Sequence, residues 1–144
     1  MLAQRRLLFF DDYPHASENA LFLLRLRQTL RHLGPHVLVT TTTAAVEREL
    51  RATSLHLAVL DVMAAAPADF GATSSRAGIE VLRRCRAGLY LPENATIPIF
   101  MRTARGEAFI RELCAKEGCT GFFSAGAEDS ALLKAIEACL GSGG

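Results

Sequence analysis

The chain has 144 residues, enough for one domain to bury a core without metal or disulfide support. Half of the residues are hydrophobic and 22% are charged, the balance of a globular chain rather than a disordered one. The 16 Lys and Arg against 15 Asp and Glu leave a net charge of +1, which excludes the basic footprint expected of a nucleic-acid binder.

Arg5 and Arg6 precede the first apolar run, Leu7 to Phe10, which stops at Asp11 and Asp12. So short a run is neither a signal peptide nor a membrane span; it fits a strand buried on both faces of a parallel sheet. Pro14, Ser17 and Glu18 then signal a helix start, and leucines from Leu21 to Leu33 recur at roughly helical spacing until Gly34-Pro35 stops them. Val37 to Val39 predicts a second strand, and Thr42 or Thr43 caps a charged helix through about Arg51. Leu55 to Leu60 forms a third strand that delivers Asp61 at its end. A loop of small and polar residues runs from Ala64 to Ser75, before Ile79 to Leu82 opens a third helix that ends near Gly88. Ile97 to Met101 supplies a fourth strand, Glu107 to Lys116 a fourth helix, Gly121 to Phe123 a fifth strand and Asp129 to Leu140 a last helix. Residues 1–140 are therefore expected to be one domain, with 141–144 a frayed tail. Cys85, Cys114, Cys119 and Cys139 show neither a CxxC pair nor zinc-like histidine spacing. They are expected to be reduced, mostly buried thiols in a cytoplasmic protein.

Alternating strands and helices imply an α/β fold: a doubly wound five-stranded parallel sheet with five helices joined by right-handed crossovers. In such sheets a ligand site lies outside the carboxyl ends of the strands. Those ends carry Asp11 and Asp12, then Asp61, Thr103, and Ser124-Ala125. Three converging carboxylates raise one another's pKa unless a cation sits among them, and magnesium is the natural candidate for phosphate chemistry.

At these residues the chain resembles the receiver domains of two-component response regulators. Phe9-Phe10-Asp11-Asp12 resembles the family's acidic doublet, Leu60-Asp61-Val62-Met63 its phosphoacceptor segment, and Ile97 to Ala104 its fourth strand with a terminal Thr-Ala. Gly118 to Phe123 is similar to its turn into strand five, so the resemblance spans nearly the whole chain. It implies the flavodoxin-like receiver topology, with Asp61 as the nucleophile that takes a phosphoryl group from a histidine kinase or phosphotransfer protein. Asp12, Asp61 and the Met63 carbonyl would hold magnesium, Asp11 would assist through water, and the Thr103 hydroxyl would bond the phosphoryl oxygen. The chain would accept phosphate as a signalling module, not as an enzyme.

Two features depart from the pattern. The family places Lys, usually followed by Pro, where this chain has Ala125-Gly126, and Lys116 and Lys134 sit on helices whose ends are wrong for reaching the site. Arg105 is the cation expected to compensate, whereas strand alternation is expected to turn Arg102 away from the phosphoryl pocket. The loop 64–75 is also longer than usual, either a tolerated insertion or a lid beside Asp61. The alternative function is a pseudo-receiver, a phosphorylation-independent protein–protein interaction module. A flavin carrier is disfavoured because Asp11 and Asp12 would repel its phosphate. A haloacid-dehalogenase-type phosphatase would need two Asp separated by one residue, and these are adjacent. A homodimer is a further expectation. The alternating charges Glu107, Arg111, Glu112 and Lys116 would face Glu128, Lys134 and Glu137 across a two-fold axis through the fourth helix, fifth strand and fifth helix.

Overall fold

In a computed structural model that describes residues 4–11, 17–62, 76–104 and 107–142, five strands form one parallel sheet. They are β1 (Arg6–Phe10), β2 (His36–Thr40), β3 (Leu57–Asp61), β4 (Ile99–Thr103) and β5 (Gly121–Ser124), in the spatial order β2-β1-β3-β4-β5. Five helices connect or follow them: α1 (Ser17–Thr29), α2 (Thr43–Ala52), α3 (Ala77–Arg86), α4 (Ala108–Lys116) and α5 (Asp129–Ser142). The expected α/β architecture is therefore the observed one. The chain winds outward from β1 to β2, then returns past β1 to β3 and continues to β4 and β5, so the winding reverses between β1 and β3.

Strand alternation divides the core into two layers. Leu8, Phe10, Leu60, Ile99 and Met101 pack with Val46 and Leu50 of α2, Leu82 of α3 and Ile110 of α4. Leu7, Phe9, Leu57, Val59 and Phe100 pack on the other face with Phe22 and Leu26 of α1 and Leu132 and Ile136 of α5. The middles of β1, β3 and β4 are apolar because both faces are covered there.

Several boundaries differ from the sequence expectation for identifiable reasons. β3 begins at Leu57, not Leu55, because the Leu55 N–H is taken by the buried side chain of Asn94, whose oxygen accepts it at 2.8 Å. The Asn94 amide donates in turn to the Leu50 and Thr53 carbonyls, each at 2.9 Å, within a short 3-10 turn, Pro92–Thr96, that the periodicity did not reveal. β4 begins at Ile99, not Ile97, since Pro98 has no N–H to give a ladder and contributes only its carbonyl, to Ala58 N–H at 3.0 Å. Thr42 caps α2 by accepting from the Ala45 N–H at 3.1 Å, which settles the choice between Thr42 and Thr43. α5 continues to Ser142, two residues into the segment expected to fray. The loop 64–75 lies outside the described residues.

All four cysteines are free thiols, with Cys85 and Cys114 buried. Burial pushes the Cys114 thiol up to about 12 and raises those of Cys85 and Cys119. Thiolate, the reactive form, is therefore scarce at these three positions near neutral pH. Iodoacetamide at about pH 8 should leave Cys85 and Cys114 unmodified in the native protein and modify both after unfolding, as read by peptide mapping. Rapid native alkylation of either would contradict the packing described. Among the described residues no helix is long and apolar enough to cross a membrane.

Candidate functional site

The carboxyl edge of the sheet is assembled by register. Phe10 pairs with Leu60, which sets Asp11 beside Asp61, and Asp61 pairs with Arg102 of β4. Side chains of paired residues in a parallel sheet point to the same face. Asp11, Asp61 and Arg102 thus form a row across β1, β3 and β4 on the face that α1 and α5 cover. Asp11 is 7% exposed and its N–H donates to the Thr40 carbonyl at 3.2 Å, which fixes the backbone where β1 ends. Asp12, Met63 and Arg105, the remaining expected ligands and the expected substitute cation, lie outside the described residues.

Arg102 and Thr103 take opposite faces of β4, as alternation leads one to expect, and the strand partner of Arg102 is Asp61. Arg102 is 3% exposed, and its guanidinium holds the Asp129 carboxylate through two hydrogen bonds, Nε to Oδ1 at 3.0 Å and Nη2 to Oδ2 at 3.1 Å. Nη1 donates to Asn19 Oδ1 at 2.7 Å and lies 3.7 Å from Asp11 Oδ2, while the guanidinium carbon sits 4.5 Å from the Phe22 ring centroid. Asp129 opens α5, where the helix dipole also favours a carboxylate. Removing one partner of such a buried pair costs about 3–5 kcal/mol, whereas removing both together can be nearly neutral. The signal was present in the sequence as an arginine in an otherwise apolar buried strand, a residue that requires a partner.

Thr103 follows Arg102 and is buried. Its carbonyl accepts the Ala125 N–H at 2.7 Å, tying the end of β4 to the turn after β5. That turn passes through Gly126 at φ 81°, a conformation closed to proline, whose ring fixes φ near −65°. A proline at position 126 could not follow this backbone path. On the α4 side of the same turn, Glu128 accepts from the Ser124 N–H at 2.8 Å and from Arg111 Nη2 at 3.2 Å. Two charges expected to pair across a dimer axis are thus paired with each other within the chain.

α3 approaches the end of β3 closely. The Gly78 N–H donates to the Val62 carbonyl at 3.3 Å, and a Cβ on Gly78 would stand 2.1 Å from the Asp61 carbonyl oxygen. The helix is held against α2 by a largely buried charge network. Glu80 accepts from Arg83 and from Arg84 Nε, and Arg84 Nη1 reaches Glu47 Oε2 at 3.1 Å. The Arg83 hydrogen bond holds the Glu80 carboxyl below its ordinary range, and the Tyr90 hydroxyl donates to Glu47 Oε2 at 2.6 Å.

Among the described residues no three His, Cys, Asp or Glu side chains gather to hold a metal ion. Asp11 and Asp61 nevertheless present hard oxygen donors at adjoining strand ends. That donor set fits magnesium, which commonly takes one or two carboxylates and keeps several waters.

Solved structures similar to this chain are receiver domains. A CheY-like response regulator receiver domain protein from Methanospirillum hungatei JF-1 is 18% identical with a TM-score of 0.68, the match covering 97% of this chain and 96% of that one. A LuxR-family two-component response regulator from Aurantimonas sp. SI85-9A1 is 21% identical with a TM-score of 0.69, covering 97% and 87%. A response regulator from Burkholderia pseudomallei, whose structure contains a phosphorylated aspartic acid, a calcium ion and citrate, is 14% identical with a TM-score of 0.63, covering 96% and 70%. No protein-family model matches the chain. No curated protein matches it either. The fold is that of response-regulator receiver domains.

Proposed function

We propose that this chain is the phosphoacceptor module of a two-component phosphorelay, receiving a phosphoryl group on Asp61 from a histidine kinase or phosphotransfer protein. The observation that carries the reading is the placement of Asp61. It ends the central strand β3 at the winding reversal, with Asp11 at the adjoining strand end. In transfer, an Asp61 carboxylate oxygen forms the new O–P bond while the bond from phosphorus to the donor's imidazole nitrogen breaks, its electron pair staying with the ring. Asp11 and Asp61, with Asp12 and the Met63 carbonyl as the resemblance implies, would hold magnesium. When bound, magnesium neutralises phosphoryl oxygens. The product is an acyl phosphate that stays on the protein, so the role is a signalling one in the cytoplasm rather than turnover of a substrate. A homodimer through α4, β5 and α5 would have to form without the Arg111 and Glu128 charges that pair internally.

Acetyl phosphate replaces the kinase as donor in the test. The expected result is the gain of one phosphoryl group by intact mass when magnesium is present and much less after chelation. The second reading, a phosphorylation-independent interaction module, is favoured by Ala125 standing where the family has lysine. No gain in mass under any magnesium concentration would support it.

A further inference from the structure

We infer that Arg102 is the internal cation of the acidic edge, a positioning residue held by α1 and α5 that sets the electrostatic potential at Asp11 and Asp61. The inference rests on the phosphoacceptor reading of Asp61 and adds to it a residue that reading does not use. Arg102 is the register partner of Asp61, shares its face of the sheet, and brings Nη1 to 3.7 Å from Asp11 Oδ2. Asp129 and Asn19 restrain the guanidinium from two helices and Phe22 lies beneath it, so the charge has one position rather than a sweep of rotamers. Burial does not discharge an arginine as it can a lysine. In a site shielded from water, a fixed charge acts at several ångströms with an effect that bulk solvent would erase.

The sign of that effect differs for the two species the site is read to receive. A cation beside Asp11 opposes a divalent metal ion and favours the added negative charge of a phosphoryl group. Asp129 compensates part of the charge, so it tunes both effects. A residue that merely staples α5 to the sheet would change stability and leave the balance between metal affinity and phosphoryl uptake alone.

The test measures magnesium affinity by titration calorimetry and uptake from acetyl phosphate at saturating magnesium, in the wild type and two variants whose fold is checked by circular dichroism. Arg102→Gln/Asp129→Asn removes both charges while retaining hydrogen-bonding groups; magnesium should bind about tenfold more tightly and uptake should slow about tenfold. Asp129→Asn alone leaves the arginine uncompensated, and magnesium should bind severalfold more weakly. Removing one charge costs more stability than removing both, so should the single variant not fold, the double variant decides by its opposite shifts in affinity and uptake. Affinities equal to wild type in the folded variants, or a parallel loss of affinity and uptake in the double variant, overturn the inference while the phosphoacceptor reading stands. A wild-type protein that binds no magnesium and takes no phosphate overturns that reading, and the inference with it.

Discussion

Asp61→Asn is expected to stop phosphoryl uptake from acetyl phosphate, slowing it by about a thousandfold or more while the protein stays folded. The substitution exchanges one oxygen for an amide nitrogen of nearly the same size, so packing at the end of β3 is preserved while the carboxylate that serves as nucleophile and magnesium ligand is lost. Asp11 is not expected to replace it, because the residue is 7% exposed and its Oδ2 lies 3.7 Å from Arg102 Nη1. The measurement is intact mass against time, with circular dichroism to show the fold intact. Uptake at the wild-type rate would move the acceptor to another residue.

Gly78→Ala should destabilise the protein by about 2–3 kcal/mol and slow phosphoryl uptake severalfold. On an unconstrained helix the same change would be stabilising by about 1 kcal/mol, because glycine is a poor helix former. Here the added methyl would stand 2.1 Å from the Asp61 carbonyl oxygen and 2.9 Å from the Val62 Cα, both backbone atoms that cannot rotate aside. Either α3 lifts from the sheet or the end of β3 shifts, and the second displaces the acceptor carboxylate. Urea denaturation gives the stability change. A variant as stable as the wild type, or more so, would show that α3 does not approach β3 as described.

Much of this architecture is legible in the sequence because parallel strands covered on both faces are short apolar runs, and each here ends at a polar residue or just before one. Asp61 and Thr103 could be placed at strand ends for that reason. Strand starts were less legible, since the breaks at Leu55 and Ile97 depend on Asn94, distant from Leu55 in sequence, and on the missing N–H of Pro98. The alternation of Arg102 and Thr103 was legible, but the pairing of Arg102 with Asp61 was not, because the register between β3 and β4 is a tertiary property. Gly78 left no sequence signal of its own: a glycine near a helix start is common, and only the approach of α3 to Asp61 gives it meaning. The Ala125-Gly126 departure was visible as a lost charge, while the exclusion of proline at position 126 required the positive φ of Gly126.

The central claim is that Asp61 itself becomes an acyl phosphate, and borohydride tests it most directly because it reduces that anhydride to an alcohol and leaves phosphate esters alone. Wild-type protein incubated with acetyl phosphate and magnesium, then reduced and digested, should yield a peptide carrying homoserine at position 61. Homoserine at another aspartate, or none at all in protein that has gained phosphate, would contradict the account.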